Sequence, residues 1–79
     1  MLELTLYSRP GCHLCETVLE DLEPRCRAAG VVLTVADVDR HDEWRRMYGE
    51  RIPVLVADGR EIAAWPFDWA AVSTCLAQG

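Results

Sequence analysis

The hydrophobic spacing of this chain switches from alternate residues to helical spacing between Leu6 and Leu14, and two cysteines stand at the switch. Leu2, Leu4 and Leu6 alternate with Glu3, Thr5 and Tyr7, the pattern of a strand with one apolar face. Ser8 to Gly11 is turn-like, with Pro10 and Gly11 as punctuation. Leu14, Cys15, Val18, Leu19, Leu22, Cys26 and Ala29 then fall on one face of a helix, while Glu16, Glu20 and Arg27 point elsewhere. The β-branched run Val31 to Val35 reads as a buried strand. A strand, a helix and a second strand joined this tightly make a right-handed crossover with the two strands parallel.

The rest of the chain extends that unit. Pro24 removes one backbone hydrogen bond and predicts a kink or a split of the first helix near Glu23, and Gly30 suits its end. Asp39 or Asp42 can cap a short helix in which Trp44, Met47 and Tyr48 share a face, ended by Gly49. Pro53 to Ala57 is an apolar strand, Asp58-Gly59 a two-residue hairpin turn, and Arg60 to Ala64 the strand that pairs back. Asp68 can cap a last helix carrying Trp69, Val72, Cys75 and Leu76. The order β-α-β-α-β-β-α predicts an α/β fold: a mixed four-stranded sheet flanked by helices on both faces. With no repeat, linker or low-complexity stretch, residues 1–79 are expected to form a single domain.

Composition narrows the function. At 51% hydrophobic residues the chain can fill a core. Its net charge is −5, and its basic residues are all Arg, scattered without a block. Nucleic acid and anionic membrane are therefore poor partners. The Lys-free, Ala- and Arg-rich composition fits a GC-rich bacterial genome. Met1-Leu2-Glu3-Leu4 has neither a basic start nor a long apolar run, so cytoplasmic location and no membrane span are expected. In that compartment four cysteines read as catalytic or metal-binding before they read as a disulfide framework.

Cys12-His13-Leu14-Cys15 opens the first helix. Unpaired N–H groups and the positive end of the helix dipole stabilise a thiolate there, lowering a cysteine pKa by roughly 1–5 units from about 8.5. Arg9 and His13 can add positive charge. Cys15 lies one turn deeper on the same side, within reach of the Cys12 sulfur and more buried. An exposed thiolate with a resolving neighbour is what disulfide exchange needs. A zinc site wants four ligands, but Cys26 and Cys75 stand alone and His13 lies inside the motif, so no metal is expected. An inert pair of buried thiols is the other alternative.

Leu6 to Cys15, with Ile52-Pro53-Val54-Leu55 further on, resembles the glutaredoxin-like branch of the thioredoxin superfamily, and Trp65-Pro66-Phe67-Asp68 matches a small bacterial group within it. The resemblance covers essentially the whole chain. It implies a thiol–disulfide oxidoreductase with Cys12 as nucleophile and Cys15 as resolving thiol. It also implies that Pro53 follows a cis bond facing the cysteines, leaving the Ile52 backbone free to pair with an extended peptide or glutathione. The substrate-binding candidates are Arg9, Pro10, His13, Arg51, Ile52, Pro53 and Asp68. The partner is a disulfide-containing protein or a glutathione mixed disulfide. No bound cofactor is expected, and the chain is expected to act as a monomer. Glutathione-using members carry Thr-Val-Pro where this chain has Arg51-Ile52-Pro53, and a Gly-Gly-x-Asp stretch where it has Ala63 to Asp68. Glutathione and a separate reductase both stay open as electron donors. The motif also lacks the Trp and the Gly-Pro of thioredoxins.

The remaining residues have plain readings beside the sharp ones. His13 either tunes Cys12 or is simply solvated. Arg51 either grips a substrate carboxylate or lies beside a loop. Trp65 and Phe67 are read as closing the core rather than as a partner surface. Arg45, Arg46 and His41 are read as surface residues, Asp37 and Asp39 as turn and cap groups, and Cys26 and Cys75 as buried free thiols. The alternative to the enzyme is a non-catalytic binding module whose cysteines sense redox state or hold a metal.

Overall fold

A computed structural model describes residues 2–78. Its elements are β1 (Glu3–Ser8), α1 (His13–Ala29), β2 (Val32–Asp37), a 3-10 turn (Val38–Arg40), α2 (Asp42–Tyr48), β3 (Val54–Ala57), β4 (Arg60–Ala64) and α3 (Trp69–Gln78). The strands form one sheet in the order β2-β1-β3-β4. β1 and β2 are parallel, and β3 is antiparallel to both β1 and β4. This is the expected mixed sheet, and its topology is that of thioredoxin-like α/β proteins.

The alternation in β1 sorts the two faces. Leu4 and Leu6 pack with Leu55, Ala57 and Ala63 of the sheet against Val18, Leu22 and Cys26 of α1 and Val72 of α3. Tyr7 points the other way and meets α2, stacked on Tyr48 at 4.2 Å between centroids and edge-on to Trp44 at 5.4 Å. The hairpin turns on Asp58 (φ 49°) and Gly59 (φ 77°), both left-handed as a type I′ turn demands. Asp68 caps α3, accepting from the Ala70 and Ala71 N–H groups.

Several expectations are corrected. Pro24 does not split the first helix: α1 is continuous through it. Pro24 and Glu20 are both solvent-exposed, so the Glu20 carbonyl left without a donor lies on the side where water can serve it. The Val31–Val35 segment is no buried strand. β2 is an edge strand, with Val32 44% and Val35 49% exposed. A run of β-branched residues signals a strand, not its place in the sheet. Neither Asp39 nor Asp42 caps α2; His41 holds that position without a side-chain hydrogen bond, and Asp37 caps the 3-10 turn instead. Leu14, Met47 and Trp65 are exposed, whereas Phe67 packs against the core. Trp65 therefore departs from the core role read for it. No helix of the described residues is long and apolar enough to cross a membrane.

Candidate functional site

The strand register gathers the chemistry at one end of the sheet. Ser8, the last residue of β1, pairs with Asp37 at the end of β2, and Tyr7 pairs with Val54 at the start of β3. Val54 in turn pairs with Ala64 at the end of β4. The Arg9–Cys12 loop, the 3-10 turn, Ile52-Pro53 and Trp65-Pro66 all leave the sheet there. Both of these X-Pro bonds are cis. The first matches the expectation; the second, at Trp65-Pro66, carried no signal of its own in the sequence.

Gly11 (φ 80°) turns the chain into α1, and Cys12 is its N-cap, in extended conformation. The Cys12 Sγ accepts the Cys15 backbone N–H at 3.2 Å. A sulfur thus occupies the place that a Ser or Asp oxygen takes in most caps. Cys12 and Cys15 are disulfide-bonded, with Cα atoms 5.2 Å apart. Cys15 is buried and Cys12 half-buried, so an incoming group meets Cys12 first.

The charged candidates are already engaged. Arg9 Nε donates to Asp39 at 2.8 Å and its Nη2 to the other carboxylate oxygen at 3.1 Å. The carboxylate raises the arginine pKa, and the guanidinium holds Asp39 below the ordinary carboxylate range; Arg45 adds to the second effect. Asp39 is therefore an ion-pair anchor rather than the cap read from the sequence. Arg51 is likewise paired with Glu61 at 2.8 Å and donates to the Met47 carbonyl. That pairing depresses the Glu61 pKa and raises that of Arg51. The His13 side chain is 96% exposed, with Nδ1 3.7 Å from Glu16. Of the expected binding residues, Ile52 is half-buried and Pro53 buried at the strand end, while Asp68 is spent on its helix cap. Among the described residues, no three His, Cys, Asp or Glu side chains come together as metal ligands do.

A cleft of about 270 Å³ opens beside the disulfide. Leu6, Ser8 and the Arg9–Cys12 loop form one side, Cys15, Glu16 and Leu19 of α1 another, and Val35 and Asp37 of β2 the third. It therefore lies toward β2, away from Ile52-Pro53. Sequence reading found the loop but not the cleft, because only the β1–β2 register puts Val35 and Asp37 beside α1.

Comparison with known proteins agrees with this geometry. Residues 3–77 match the Glutaredoxin-like domain (DUF836) family. An uncharacterised protein of Mycobacterium tuberculosis is 32% identical over 71 residues, covering 84% of this chain and 73% of the relative. The solution structure of a Nitrosomonas europaea protein superposes with a TM-score of 0.83 at 29% identity, covering 94% of this chain and 89% of that one. The crystal structure of an X. campestris protein gives 0.74 at 35% identity, covering 96% and 97%. Thioredoxin 1 of Thermosipho africanus shares the fold, with a TM-score of 0.68 at 14% identity over 96% of this chain and 91% of that one.

Proposed function

This chain belongs to the glutaredoxin-like domain family, and we propose that it is a thiol–disulfide oxidoreductase in which Cys12 attacks and Cys15 resolves. The observation that carries the reading is the disulfide-bonded pair with Cys12 at the helix N-cap and its Sγ on a backbone N–H. Such a position stabilises a thiolate by hydrogen bonding and by the helix dipole. The Cys12 thiolate attacks one sulfur of a substrate disulfide, forming a mixed disulfide and expelling the other sulfur as a thiolate. Cys15, once deprotonated, attacks the Cys12 sulfur and expels the second substrate thiolate. Two electrons pass from the protein dithiol to the substrate. The dithiol is then restored by glutathione or a reductase dithiol, in a reducing compartment such as the cytoplasm.

The test is single-turnover oxidation of the reduced protein by a small disulfide. Cys12→Ser should slow it by roughly a thousandfold or more, as loss of a nucleophile does. Cys15→Ser should stop at a mixed disulfide on Cys12, seen as added mass. Unimpaired exchange by Cys12→Ser would refute the assignment.

A further inference from the structure

The cleft on the β2 side of the disulfide has an apolar floor and an acidic rim. Leu19 and Val35 supply the floor, and Glu16 and Asp37 flank it. Asp37 uses one oxygen to cap the 3-10 turn; the Glu16 side chain is 65% exposed. Arg9, the cation among the lining residues, is neutralised by the bidentate contact to Asp39. Arg51 at the cis-Pro53 loop is neutralised in the same way by Glu61. A substrate reaching Cys12 through this cleft meets carboxylates without a free guanidinium among the lining residues. The whole chain, at net charge −5, adds to that field.

We infer that the cleft selects disulfides carrying a cationic group close to the sulfur atoms, with the methylene stem on Leu19 and Val35 and the cation between Glu16 and Asp37. This rests on the oxidoreductase reading and adds a substrate class to it. An anionic disulfide such as that of glutathione meets the same carboxylates as repulsion. In the exchange, Cys12 bonds to the sulfur bearing the cationic arm and expels its partner thiolate. Cys15 then closes the Cys12–Cys15 bond and releases the cationic thiol, both released thiolates taking up the protons that the protein thiols gave to solvent.

Rates of single-turnover oxidation of the reduced protein test this with three probes: cystamine (a dication), bis(2-hydroxyethyl) disulfide (neutral) and glutathione disulfide (a dianion). Each rate is divided by that of dithiothreitol with the same probe, which removes leaving-group differences. The normalised rate should be about tenfold higher for cystamine than for the neutral probe and lowest for glutathione disulfide, a span that shrinks in 0.5 M salt. In the protein with both Glu16→Gln and Asp37→Asn the cystamine-to-glutathione ratio should fall about tenfold, a few-fold per carboxylate. The amide oxygen that Asp37→Asn leaves in place can still accept the capping N–H. Disulfides of two short peptides, with Lys or Glu beside the cysteine, locate the source. A preference among the peptides alone assigns a polypeptide substrate, and one seen with cystamine alone assigns a small molecule. Equal normalised rates across the small probes and both peptides, or a preference for the anionic disulfides, overturn the inference while leaving the oxidoreductase standing. Failure to oxidise with any probe overturns the oxidoreductase itself.

Discussion

Cys12 and Cys26 sit at opposite ends of the same helix, and their surroundings make them different reagents. Cys12 is the N-cap, half-buried beside an open cleft, with its sulfur on a backbone N–H. Cys26 is 2% exposed inside the core between α1 and α3, near the negative end of the helix dipole. Burial, with Cys75 as a lesser neighbour, pushes its pKa up. Location along one helix thus separates an accessible sulfur at a helix N-cap from a packing atom, with no difference in residue type.

The contrast is most easily broken by alkylation. In the reduced protein at pH 7, iodoacetamide should modify Cys12 about a hundredfold faster than Cys26, because Cys12 is accessible at a helix N-cap while Cys26 is buried and its pKa is raised. Mass mapping of a time course reads it, and comparable rates would remove the distinction. Stability gives the opposite ranking. Cys26→Ser, which buries a hydroxyl among Leu22, Leu6 and Val72, should cost about 1–3 kcal/mol in urea unfolding of the reduced protein. Cys12→Ser should be near neutral, because serine is a good N-cap, whereas Cys12→Ala should cost about 1 kcal/mol. The smallest effect concerns the ion pairs around the site. Asp39 and Glu61 have folded pKa values below their unfolded ones, so their stabilisation is present above the ordinary carboxylate range. It is lost as pH falls through the folded values. Asp39→Asn should therefore flatten the acid limb of a stability–pH curve below about pH 4. An unchanged limb would mean that the Arg9 contact contributes nothing.

The parts of the molecule set by local pattern were readable from the chain alone. The change of hydrophobic period placed β1, the loop and α1, and the Asp58-Gly59 pair placed the hairpin. Asp68 was legible as a cap because nothing else competes for it. What was misread depends on partners distant in sequence. β2 looks like an interior strand by composition but borders solvent, because β1 covers only one of its edges. Arg9 looked like a group free to assist Cys12, yet Asp39, thirty residues away, accepts from its Nε and Nη2. The cysteine pair was legible, while the cleft that a substrate would enter was not, since three separate elements build it.

The sulfur cap has a consequence beyond reactivity. A negatively charged thiolate accepts an N–H more strongly than a neutral disulfide sulfur does. With Cys12 as the thiolate that the proposed mechanism uses, the cap on α1 tightens on reduction and loosens on oxidation. Around a thermodynamic cycle, whatever the helix gains from the thiolate is returned as a stronger tendency of the disulfide to accept electrons. On the proposed oxidoreductase reading, the first turn of α1 is thus part of the electron-accepting group, and the redox poise is written partly in the backbone.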